Sequence, residues 1–201
     1  MRKSRGPAAH FEYPNVTGRQ MKVVVWTGAR GSGKTTEALT LAQKARAEGF
    51  AVAGLAAEAV SRGGRRVGYD VVDLATSARA CLARLGLNGP VQAGRYGFLA
   101  EGLAMGKDAL LSPAALASDL VIVDEFGPLE LRGEGWRPAV DALVSDARGL
   151  IVLVVRDSLA AAVEDLYRKF GCIKLPATPG SADVILEMLR KSSSRRGGRT
   201  S

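Results

Sequence analysis

The stretch KVVVWTGARGSGKTT, Lys22 to Thr36, decides the fold. Val23 to Trp26 form a continuous apolar run, the pattern of a strand buried on both faces. Gly28-Ala29-Arg30-Gly31-Ser32-Gly33-Lys34-Thr35 then satisfies GxxxxGK[ST], the spacing of a phosphate-binding loop, and Thr36 follows directly. Glycines suit such a loop because a side chain would block the backbone from closing around phosphate oxygens. The helix predicted to open here adds its N-terminal amides to the same anionic pocket. In that setting Lys34 reaches β- and γ-phosphate oxygens and the Thr35 hydroxyl binds Mg²⁺.

A second run, Leu120 to Val123, ends in Asp124-Glu125. Two carboxylates at the end of a buried strand need a cation nearby. With the strand taken to lie beside the first, Asp124 faces the Mg²⁺ shell and Glu125 orients the attacking water. Asp124-Glu125-Phe126-Gly127 also spells DxxG, but no NKxD guanine-reading motif occurs in the chain, which argues against a dedicated GTP switch. A transition state that gathers charge calls for a further cation. Arg156, directly after the LIVLVV run, is the first choice, with Arg30 and Arg132 as competitors.

Outward from these motifs the chain alternates strand-like runs with helical stripes. Ala38, Leu41, Ala42 and Ala45 mark one helix, with Gly49 placed to end it. Trp136, Val140, Leu143, Val144 and Ala147 mark another; Leu159, Val163, Leu166, Tyr167 and Phe170 mark a third, with Asp157 or Ser158 as its N-cap. The alternation predicts an α/β domain with a mostly parallel sheet and helices on both faces. Leu55 to Val60 and Arg66 to Leu74, flanking Gly63-Gly64, read as a β-hairpin excursion. Residues 77 to 118, interrupted by glycines and Pro113, read as loop and short helix. Glu58 and Asp73 either line the site or pair with Arg65 or Arg66. Tyr96 and Phe98 either stack on a nucleobase or pack under a loop.

Of the 201 residues 47% are hydrophobic and 24% charged, the profile of one globular domain. The net charge of +8 resides in the ends, because residues 21 to 189 hold 19 basic and 19 acidic side chains. The division is therefore a flexible basic segment (1–20), a folded domain (21–189) and a disordered basic tail (190–201). The tails offer weak, salt-dependent contact to nucleic acid or are simply solvated. Cys81 and Cys172 lack metal-ligand spacing, and the single histidine, His10, lies in the first segment. No apolar run approaches a membrane span and no secretion signal opens the chain, so a cytoplasmic monomer is expected.

Together TGARGSGKTT (27–36), EAVSRGGRRVGYDVVDL (58–74), GRYGF (94–98) and DLVIVDEFGPLEL (119–131) resemble the small THEP-type, or cancer-related, nucleoside-triphosphatase family. The resemblance spans residues 21 to about 175. It implies a three-layer α/β/α P-loop NTPase fold of the RecA-like type and slow Mg²⁺-dependent hydrolysis of ATP, GTP or other NTPs with loose base selectivity. By position it implies Gly28, Gly31, Gly33, Lys34, Thr35 and Thr36 as the phosphate loop and Asp124 and Glu125 as the acidic pair. The strand AAEAVSR departs from the family pattern, so no role passes to Glu58. Two other readings share these motifs: a kinase passing the γ-phosphoryl to a small acceptor, and a nucleotide-gated module holding nucleic acid on its tails.

Overall fold

The computed structural model describes residues 22 to 197. In chain order the elements are β1 (Val23–Gly28), α1 (Lys34–Ala47), β2 (Val52–Arg62), β3 (Arg65–Asp73), β4 (Arg79–Leu85), β5 (Val91–Ala93), β6 (Tyr96–Phe98), α2 (Ala100–Leu111), α3 (Pro113–Ala117), β7 (Leu120–Asp124), α4 (Pro128–Leu131), α5 (Arg137–Asp146), β8 (Leu150–Arg156), α6 (Asp157–Tyr167), β9 (Cys172–Pro176) and α7 (Ser181–Gly197). The described strands form one sheet in the order β5-β6-β4-β3-β2-β7-β8-β1-β9. From β2 to β9 neighbouring strands run parallel, and from β2 to β5 they run antiparallel.

The apolar runs of β1, β7 and β8 are buried on both faces, and alternate residues feed two cores. Val24, Trp26, Ile122, Val152 and Val154 pack against α1 and α7. Val23, Val25, Val121, Val123, Ile151 and Leu153 face α5 and α6 on the other side. This is the three-layer arrangement that the alternating runs predict. Helix α1 buries Ala38, Leu41, Ala42 and Ala45 and α5 buries Val140, Leu143 and Val144, as their periodicity predicts, while of the third stripe α6 buries Val163 and Tyr167, leaves Leu159 and Leu166 partly buried, and ends before Phe170.

Four expectations need correction. β7 does not lie beside β1, because β8 is inserted between them and pairs with both. Residues 77 to 118 are largely regular, with three strands extending the hairpin into the sheet and a 12-residue helix covering them. Helix α6 starts at Asp157 with Arg156 as its N-cap and no side-chain cap bond, since β8 runs straight into the helix. Helix α7 carries Arg190 and Lys191, which charge counting assigns to the tail, and Arg190 pairs with Glu48 and Glu187. The 1–20 segment with His10 and the last four residues lie outside the described residues.

Candidate active site

The C-terminal ends of β1, β7 and β8 bring the site together, as expected where parallel strands open a crevice at one sheet edge. Gly28 leaves β1 with Ser32 and Lys34 folded over it, and a Cβ there would lie 2.9 Å from Ser32 Oγ. Gly33, at φ +87°, turns the chain into α1 through a conformation that side chains disfavour. Lys34 is 7% exposed and donates to the carbonyls of Gly28 at 3.0 Å and Ala29 at 2.8 Å. The loop thus holds its cation inside its own curl, where phosphate oxygens are better acceptors than neutral carbonyls.

Asp124 ends β7 with 1% of its surface exposed, and its Oδ2 has no hydrogen-bond partner among the described residues. Burial pushes its carboxyl up to about 7; a hydrogen bond with the Thr35 side chain opposes the shift and the neighbouring Glu125 adds to it. A buried, half-satisfied carboxylate beside a hydroxyl suits a hard divalent cation, which takes oxygen ligands and offsets the desolvation. Among the described residues no group of three or more His, Cys, Asp or Glu is placed to hold a metal. An ion at Asp124 and Thr35 would therefore draw its remaining ligands from phosphate and water, as Mg²⁺ does.

The register explains why Arg156 reaches this site. It pairs with Gly28 across β1 and β8, while Asp124 pairs with Val154, two residues earlier on β8. From there Arg156 Nε donates to Glu125 Oε1 at 2.8 Å. The carboxylate in turn raises the Arg156 pKa. Arg30 and Arg132 line a cavity next to Glu125, but Arg132 bonds bidentately to Glu134. In α6, Asp157 accepts a hydrogen bond of 2.7 Å from the Thr27 hydroxyl, tying the strand before the loop to the helix after Arg156.

Glu130 is a site residue that the motif reading passed over. It is 4% exposed, and its carboxylate accepts from the backbone N–H of Gly127 at 2.9 Å and of Trp136 at 3.2 Å. Burial raises its pKa against those two bonds. It thereby fixes the turn that follows Glu125. The spacing Gly127-Pro128-Leu129-Glu130 carries the signal, with proline at the first helical position and an acid at the third.

The hairpin acids are structural. Glu58 pairs with Arg79 at 2.5 Å, not with Arg65 or Arg66, because β4 lies across β3 from β2. Asp73 accepts from Ala75 N and Thr76 Oγ1 in a turn. Tyr96 is buried against Tyr69, ring centroids 5.4 Å apart, and both line the cavity with Phe98.

A family model described as NTPase matches residues 23–187. The chain belongs to this NTPase family. One relative, nucleoside-triphosphatase THEP1 of Methanopyrus kandleri, is 38% identical over 134 residues, covering 67% of this chain and 73% of its own. The nucleoside-triphosphatase THEP1 of Methanothermobacter thermautotrophicus is 37% identical over 142 residues, 69% of this chain and 79% of its own. The solution structure of a human cancer-related nucleoside triphosphatase, 23% identical, superposes with a TM-score of 0.62 over 90% of this chain and all of its own, a likeness of fold. The loop, the acidic pair and Arg156 all fall within the matched NTPase segment.

Proposed function

We infer that this protein is an enzyme that hydrolyses nucleoside triphosphates to the diphosphate and phosphate. The observation that carries the reading is the pairing of Glu125 with Arg156 one strand away from the phosphate loop. The relatives' shared name supports hydrolysis over phosphoryl transfer to a second acceptor and over gated nucleic-acid binding.

The loop amides and the Lys34 ammonium bind the β- and γ-phosphates, with Ala29, Arg30, Ser32 and Thr36 completing the loop. Asp124 and the Thr35 hydroxyl would hold Mg²⁺, which would supply charge neutralisation on the phosphates. Glu125 accepts a proton from water as the water oxygen bonds to the γ-phosphorus and the bond to the β,γ-bridging oxygen breaks. Arg156 holds Glu125 in place and donates to the γ-phosphoryl oxygens as their charge redistributes. Recognition concentrated on phosphates leaves base selectivity loose. The free cysteines fit a reducing cytoplasm, and no described helix is long and apolar enough to cross a membrane.

Lys34→Ala should abolish phosphate release. Glu125→Gln should keep calorimetric binding of Mg·NTP while hydrolysis falls by roughly 10² or more. Undiminished release in the first variant, or lost binding in the second, would defeat the assignment.

A further inference from the structure

A cavity of about 460 Å³ begins at Glu125 and Arg156 and runs beneath the antiparallel half of the sheet. That volume lies in the range of small-molecule sites. The nucleotide as assigned above does not need it. Lys34 marks the β,γ end of the triphosphate and Glu125 the attacking side of the γ-phosphoryl, so the cavity lies beyond the γ-phosphate, away from the base.

Its walls have a definite chemistry. Tyr69, Tyr96, Phe98 and Trp136 line it, and Trp136 is anchored by its indole N–H donating to Leu103 O at 3.0 Å. Four aromatic side chains from three chain segments, β3, β6 and the start of α5, suit a planar ring. Charge on the walls is not balanced. Arg156 is matched by Glu125, and Glu130 is taken up by backbone amides. Arg30 from the loop and Arg95 from the turn between β5 and β6 have no carboxylate partner among the described residues, and Arg95 lies over the Tyr96 ring, 5.9 Å from its centroid. Two unmatched guanidinia suit a dianion such as a phosphate monoester. The Tyr96 hydroxyl is buried without a hydrogen-bond partner among the described residues, a deficit that native structures seldom leave unexplained.

We propose that this cavity is a second ligand site, which takes a planar-ring organic monophosphate of about nucleoside-monophosphate size alongside the bound NTP. The proposal rests on the NTP orientation given under the proposed function. It adds a site that adjoins the hydrolytic machinery at Arg30, Glu125 and Arg156 and extends past it along Arg95 and the four aromatic side chains.

The test loads the protein with Mg²⁺ and a non-hydrolysable NTP, so the loop is occupied, and titrates AMP, CMP, GMP, UMP and phenyl phosphate, with inorganic phosphate as control. At least one ring-bearing probe should bind saturably and at least tenfold more tightly than inorganic phosphate. The two tryptophans report where. The Trp136 indole N–H resonance should shift, while that of Trp26, which packs in the opposite core and donates to Ser181 Oγ at 3.0 Å, should stay. Arg95→Ala should weaken the probe at least tenfold and leave NTP affinity unchanged. If this variant misfolds, the tryptophan readout in the unaltered protein decides alone. No saturable binding to the NTP-loaded protein, probes that bind only when the loop is empty, or saturation with Trp136 unmoved would each overturn the proposal. Failure of the NTP analogue to bind in the first loading step would instead overturn the NTPase reading, so the two failures are separable.

Discussion

Asp124 keeps a carboxyl almost wholly out of water at the end of β7, and burial lifts its pKa from an ordinary 3.8 to about 7. The folded state therefore holds this proton more tightly than the unfolded chain does. Without metal, stability should fall as pH rises from about 4 to about 7 and level off above that, the reverse of an ion-paired carboxylate. Asp124→Asn removes the charge at nearly constant shape and should flatten this limb. Mg²⁺ should stabilise the wild-type fold at about pH 8, where the carboxylate is ionised, and have little effect on the Asn variant. Thermal melts from about pH 5 to pH 8 in EDTA and in Mg²⁺ check both points. A metal-free melting temperature that climbs between pH 5 and 7 would mean that another group dominates.

Among elements, β8 does most to build the site, because its insertion between β1 and β7 sets Arg156 level with Gly28 and within reach of Glu125. Arg156→Ala should lower kcat by about 10²–10³, the scale of a lost transition-state donor, with NTP affinity nearly unchanged. Steady-state phosphate release beside calorimetric binding checks it, and an equal loss of both would make Arg156 a binding residue only. Much of this was legible in the sequence. The loop, the DE pair, the Gly-Gly hairpin and three helical stripes are local patterns, and an element forms at each, although the cap of α6 falls one residue before Asp157 and the helix ends short of Phe170. Strand order was not, because Leu150 to Val155 and Leu120 to Val123 are interchangeable apolar runs that carry no record of their neighbours. The edge strands were missed for a related reason. Val91–Ala93 and Tyr96–Phe98 have three residues each, and they become strands only by pairing with one another and with β4.

At the scale of the molecule, the sheet changes character across its width. β1, β7 and β8 are paired on both sides and buried beneath helices, whereas β5 pairs, among the described strands, only with β6 and is partly exposed. Amides of the central strands should thus exchange with solvent only through global unfolding, and those of residues 91 to 98 through local opening. Nucleotide binding distinguishes the two routes. A Mg·NTP analogue at a hundred times its Kd stabilises the fold by about 2.7 kcal/mol, which slows globally gated exchange by about a hundredfold. Opening β5 and β6 leaves the loop, Asp124 and Arg156 in place, so the nucleotide is not released and their exchange should stay constant. A ring-bearing monophosphate in the cavity should do the opposite, protecting residues 91 to 98 because Gln92 to Tyr96 and Phe98 form its outer wall. Hydrogen exchange followed by mass spectrometry, with each ligand alone and with both, reads these effects separately. If the analogue protected residues 91 to 98 as strongly as β7, the two halves of the sheet would open as one unit, and any cavity ligand would have to enter by a route other than that edge.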